Sequence, residues 1–264
     1  MLRLTLGIGI SLALVACGGG SETTSAPAPA ASKPSAAPAA PIDPATVGSI
    51  TGKVMLEGPA PKADPIQMGA DPTCAKLHPT PAKTEFVVVN ADSTLQNVFV
   101  YIKEGLGDRK FPLPTEPAHI DQQGCTYHPH VFGMMAGQPL EILNSDATLH
   151  NIHAMPKNNP QFNIGQPVKG LKTTKTFEKP EVMVPFKCDV HKWMNAYVGV
   201  LSHPFYSVTR EAGSFEIKDL PPGDYTIEAW HEKFGTQTEK VTLGAKESKA
   251  IQFTFKAGGA TGGD

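Results

Sequence analysis

The sequence predicts an all-β protein built from two sandwiches. Apolar residues alternate in short runs, Gly and Pro punctuate those runs, and no window of useful length holds a helical period. The runs fall at 49–56, 86–89, 98–102, 138–143, 184–187, 196–201, 215–217, 225–230, 238–243 and 250–255. Strict alternation buries one face of a strand and wets the other, which suits sheets packed face to face.

The ends of the chain differ in composition. Met1-Leu2-Arg3, the apolar run from Leu4 to Ala16 and then Cys17 have the layout of a secretory signal. That run is too short for a comfortable membrane span. Leu14-Val15-Ala16-Cys17-Gly18 resembles a bacterial lipobox, which implies a signal peptide over 1–16, cleavage before Cys17 and lipidation at Cys17. The expected location is the periplasmic side of a bacterial membrane, lipid-anchored, with the outer membrane favoured. An ordinary signal peptide cut near Ala16 is the competing reading. Residues 17–47, rich in Ala, Pro, Gly and Ser, bury too little to offset their ordering entropy and predict a disordered, semi-stiff tether. The tail 257–264 predicts the same disorder. Of 264 residues, 25 are Gly and 25 Pro, and the net charge of −2 gives no field to attract nucleic acid.

The richest chemistry lies in Cys188-Asp189-Val190-His191-Lys192-Trp193-Met194. A thiol, an imidazole and a thioether share one short loop, and Asn144 to Asn151 supplies a second imidazole at His150. Two His, one Cys and a weak Met make up the ligand set of a mononuclear electron-transfer copper site. The loop holds one cysteine where a binuclear copper centre needs two. Nucleophile elbows, phosphate-cradling loops and zinc His-Glu-x-x-His helices do not occur, so the chain is expected not to be an enzyme.

The four cysteines sort accordingly. With Cys17 assigned to lipid and Cys188 to metal, Cys74 and Cys125 remain. An oxidising compartment favours a disulfide between them, and two separate buried thiols are the alternative.

Two family resemblances divide the chain. Residues 119–204 resemble a cupredoxin through Tyr127-His128-Pro129-His130-Val131, the strand start at Gly137, the segment 144–151 and the segment 184–200. The resemblance implies a Greek-key sandwich holding one copper ion, with His150 and His191 as imidazole ligands, Cys188 as thiolate and Met194 as axial ligand. Asn151 then matches the position that hydrogen-bonds the ligand loop. Only Lys192 and Trp193 separate His191 from Met194, a short gap for the family. Residues 205–256 resemble a carboxypeptidase regulatory-like (transthyretin-type) sandwich through Gly213-Ser214-Phe215-Glu216-Ile217 and Asp219-Leu220-Pro221-Pro222-Gly223-Asp224-Tyr225. Its usual opening strands are supplied far upstream by Gly52-Lys53-Val54 and Asn97-Val98-Phe99-Val100.

The expected organisation is therefore a regulatory-like sandwich over 48–110 plus 205–256, with a cupredoxin-like domain over 111–204 inserted in it. Two consecutive domains, with 48–110 at the cupredoxin edge, are the alternative. The expected function is single-electron transport, with electrons reaching copper through an exposed edge of His191 framed by Phe186 and Trp193. The expected partners are a transiently docked redox protein, such as a cytochrome or an oxidase, and the membrane through the lipid. Copper storage or delivery, and glycan or protein binding without metal, are the competing functions. His153 should face away from the ligands, and Trp230-His231-Glu232 could pack near the seam between sandwiches.

Overall fold

The structure is a computed structural model and describes residues 42–258. The expected signal peptide, Cys17, the expected tether up to residue 41 and the tail from 259 lie outside the described residues. The described part is almost entirely β, as the alternation predicts. In chain order it runs β1 (Gly48–Glu57), α1 (Pro72–Leu77), β2 (Phe99–Glu104), β3 (Ala118–Gln123), β4 (Thr126–His128), β5 (Val131–Met135), β6 (Pro139–Asn144), β7 (His150–Ala154), β8 (Phe162–Gln166) and β9 (Lys172–Thr176). It continues with β10 (Glu181–Lys187), β11 (Asn195–Leu201), β12 (Tyr206–Val208), β13 (Ser214–Leu220), β14 (Gly223–His231), β15 (Gly235–Leu243) and β16 (Ser248–Lys256).

These strands form four sheets around two main cores. Sheets β13-β1-β16 and β12-β2-β14-β15 enclose one, made by Ile50, Val54, Val100, Ile102, Ile227, Phe253, Phe255 and their neighbours. Sheets β5-β11-β10-β7-β8 and β4-β3-β6-β9 enclose the other, which includes Ile120, Tyr127, Ile142, Ile152, Val184, Phe186 and Val198. The chain thus leaves the first pair of sheets after β2, builds the second pair, and returns at β12. The Pro221-Pro222-Gly223 turn is pinned from within, because the Tyr225 hydroxyl donates back to the Pro221 carbonyl at 2.6 Å.

A third, smaller core joins the two pairs of sheets. Phe99, Tyr101, Val131 and Leu201 are buried there, with Tyr197, Tyr206 and Trp230 packed against them. Trp230 lies against Tyr197, with ring centroids 5.0 Å apart. Glu232 pairs with buried His130 across the same seam.

Three local features depart from expectation. Residues 86–89 form no strand; only Val89 bridges Leu95, because a turn closed by Asn90 and Thr94 folds the run back at once. A short helix, α1, occurs where none was expected. Asp71 caps it, accepting from the N–H groups of Thr73 at 2.7 Å and Cys74 at 3.2 Å, and Pro72 suits its first turn. Finally, part of 48–110 does not stay with β1 and β2. Ile66, Met68, Cys74 and Ala82 pack with Cys125 and Trp193 against the other sandwich.

Candidate metal centre

Neighbouring strands set the site. β10 pairs with β11 on one side and β7 on the other, with Lys187 opposite His153. His150 opens β7, and residues 188–194 form the connection from β10 to β11, so both ends converge on one corner of the sheet. The connection is closed by its own backbone, since Cys188 N–H donates to the Met194 carbonyl at 3.1 Å and Met194 N–H to the His191 carbonyl at 2.9 Å.

The structure brings His150, Cys188 and His191 together, with one donor atom from each within 4.8 Å of the others. All three are buried, at 0%, 1% and 3% exposure. Met194 is buried in the same core cluster as Cys188. The side-chain oxygen of Asn151 accepts from the N–H groups of Asp189 at 2.7 Å and Val190 at 3.3 Å, and lies 3.2 Å from Cys188 Sγ. It ties β7 to the 188–194 loop. His153 turns aside and meets Asp189 at 3.0 Å.

Each of the two histidines is held by a carboxylate at its Nε2. His150 Nε2 donates to Asp146 Oδ2 at 2.9 Å, and His191 Nε2 donates to Asp71 Oδ2 at 2.9 Å. Burial pushes the Asp71 carboxyl up, but His191 and the groups of Cys74, Thr73 and Thr148 outweigh it and hold Asp71 at about 2. Burial also opposes the lowered value at Asp146, where His150 and the N–H groups of Cys125 and Gly124 prevail. Both carboxylates are therefore ionised acceptors, and each Nε2 must be the donor.

The two Nδ1 atoms then face each other at 2.9 Å. Two lone pairs at that separation repel unless a cation lies between them. Burial lowers His150, but Asp146 and Cys188 outweigh it and raise the ring to about 9, so the site favours positive charge. Cys188 adds a further reason for a cation. Burial would raise its thiol, but His150 and the backbone N–H groups of Asn151, His191 and Val190 draw it below its ordinary value. Two inward imidazole nitrogens and a sulfur inclined to ionise form a soft donor set that fits copper.

The expected route of electrons does not survive. His191 presents no exposed edge, because Asp71 and the α1 segment cover its Nε2, and Phe186 is buried in the core at 1% exposure. Only Trp193 of that frame is partly exposed, with its ring centroid 4.9 Å from that of His191.

Cys74 and Cys125 form a disulfide. The sequence reading placed these cysteines together but gave no role to Asp71 or Asp146. Asp71-Pro72 carried a helix-start signal that would have drawn notice to the aspartate. Nothing local to it points at His191, 120 positions away.

Comparison with known proteins gives one family match over part of the chain and partial likenesses to solved structures. A carboxypeptidase regulatory-like domain matches residues 194–256. No curated protein sequence matches the chain. Among solved structures, a purple cupredoxin from Nitrosopumilus maritimus is 22% identical and aligns over 31% of this chain and 98% of its own, at a TM-score of 0.28. A methionine-to-alanine mutant of amicyanin in its Cu(I) form is 17% identical over 38% of this chain and 97% of its own, at 0.29. A copper-containing nitrite reductase from Thermus scotoductus is 20% identical over 38% of this chain but only 26% of its own, at 0.31.

Proposed function

We propose that this chain carries single electrons on one copper ion held by His150, Cys188 and His191, with Met194 as a fourth, axial ligand. The observation that carries the reading is the buried meeting of two inward Nδ1 atoms with the Cys188 sulfur. Copper would supply a one-electron couple. The protein's part is to hold one donor geometry through both oxidation states and keep water away from it. Burial of the three donors also separates this reading from copper delivery: electrons can cross a few ångströms of packed protein, whereas an ion handed to another protein must have its ligands reached. On the same ground we read the chain as a carrier rather than an enzyme.

Trp193, packed at a tilt against His191 and partly exposed, is the route we favour between the site and a transiently docked redox protein. The disulfide suits an oxidising compartment. With the lipobox-like segment at Cys17, it supports our reading that the protein works on the periplasmic face of a bacterial membrane, held by lipid.

Loading purified protein with Cu(II) should give an intense visible band that bleaches reversibly with a mild reductant, at one copper per chain. Cys188→Ser should lose that band. Undiminished colour in the serine variant would refute the assignment, and absence of stoichiometric copper uptake would favour binding without metal.

A further inference from the structure

The carboxylates behind the two histidines belong to one connected frame. Asp71 Oδ1 accepts from the N–H groups of Thr73 and Cys74, and its Oδ2 faces His191 Nε2 at 2.9 Å. Asp146 Oδ1 accepts from Gly124 N–H at 2.9 Å, and its Oδ2 from Cys125 N–H at 2.7 Å and from His150 Nε2 at 2.9 Å. Each aspartate is thus fixed by the backbone of a cysteine, and those two cysteines are bonded to each other. The Thr148 hydroxyl closes the frame, donating to Asp71 Oδ2 at 3.1 Å from two residues before His150. Cys74 Sγ itself lies 3.7 Å from His191 Nε2. Cys74 and Cys125 are both fully buried.

We infer that Asp71 and Asp146 are paired positioning residues that turn both imidazoles Nδ1-inward, and that the Cys74–Cys125 disulfide couples them into a single clamp. The inference rests on the copper reading for its purpose, but not for its geometry. A clamp of this kind fixes which nitrogen of each ring carries the proton, a choice that a backbone carbonyl or water would leave softer. It also draws residues 66–82, remote in sequence from every ligand, onto the site as a cover. A disulfide that served only to tie down that cover would not need its flanking N–H groups aimed at the two carboxylates that hold the histidines.

Asp71→Asn is the sharpest variant. Asparagine is as good a helix cap as aspartate, so its oxygen keeps the N–H groups of Thr73 and Cys74. Its NH2 then faces the Nε2–H of His191, donor against donor. The ring should turn to the opposite tautomer, with its proton on Nδ1, where it competes with a metal. Cu(II) affinity should fall by about tenfold or more, the usual effect of removing such an outer partner, and the spin-resonance spectrum of the loaded protein should change. Asp71→Ala loses the cap as well and serves as the comparison for a merely structural effect.

The readout without copper is proton exchange. In the metal-free wild type, the Nε2–H protons of His150 and His191 should give two slowly exchanging, downfield nuclear-resonance signals. Asp71→Asn should remove the His191 signal and keep that of His150. Cys74→Ser with Cys125→Ser should speed exchange of both together, which is the sign of coupling. Failure of the wild type to take up copper would sink the proposed function and leave this comparison standing. Unchanged His191 exchange in Asp71→Asn would overturn the clamp, and unchanged exchange in the double serine variant would overturn the coupling.

Discussion

Trp193 shows how much one residue decides. Its indole N–H donates to the Cys125 carbonyl at 2.9 Å, so the ring is anchored to the same disulfide that braces the site. Its ring packs at a tilt against His191, whose own edge is covered. With that edge closed, the route we proposed outward from His191 is the indole. Trp193→Leu should slow electron self-exchange of the copper-loaded protein while leaving its visible band in place, and Trp193→Phe should recover part of the rate. Self-exchange as fast in the leucine variant as in the wild type would remove Trp193 from the route. The meeting of His150, Cys188 and His191 was legible in the sequence, because they fall in an order that resembles a known copper family and two of them share one short loop. The cover was not, since a tertiary contact between positions 71 and 191 leaves no local pattern.

At the level of elements, the seam between the two sandwiches depends on two glycines in register. β5 and β11 pair in parallel, with Gly133 opposite Gly199. A Cβ on Gly199 would come within 2.3 Å of the Phe99 ring, and one on Gly133 within 2.3 Å of the Tyr206 ring. Those two rings stack on each other, with centroids 5.4 Å apart. Bare backbone on one sheet therefore receives an aromatic pair from the other. Gly199→Ala should destabilise the fold by about 1–3 kcal/mol, the cost of overpacking a filled interface, read as a lower urea midpoint; an unchanged midpoint would show that the seam gives way freely. Strands with a clean apolar alternation, such as β14 and β16, were visible in sequence. β9, Lys172-Thr173-Thr174-Lys175-Thr176, was not, because an edge strand with little buried surface has no apolar signal to show. Residues 86–89 carried the signal without the strand, since their packing on the core needs apolar side chains but not a ladder.

Across the whole molecule, buried histidines away from the metal centre tie stability to pH. His203 is held at about 4, chiefly by burial, with Phe111 and Phe205 packed against it. His231 is held at about 3 by burial first, then by the charges of His130 and Lys233, and it stacks on Phe234. Both values lie below the unfolded value of about 6.5. The folded state therefore binds fewer protons than the unfolded chain under acid conditions. The stabilisation is complete above about pH 6.5 and drains away as pH falls toward 4 and 3, each histidine contributing up to about 1.4 kcal/mol per pH unit. His130 works in the opposite sense. Burial lowers it, but Glu232 outweighs burial and raises it, so its contribution is complete below the unfolded value and is lost as pH rises through the folded one. The two trends place greatest stability near neutrality and make the acid side steeper. Urea midpoints measured from pH 7 to pH 4 should fall continuously, and His203→Gln should flatten the slope by about half between pH 6 and 5, above the range where Asp71 and Asp146 add to it. An equally steep acid limb in that variant would assign the loss to other groups.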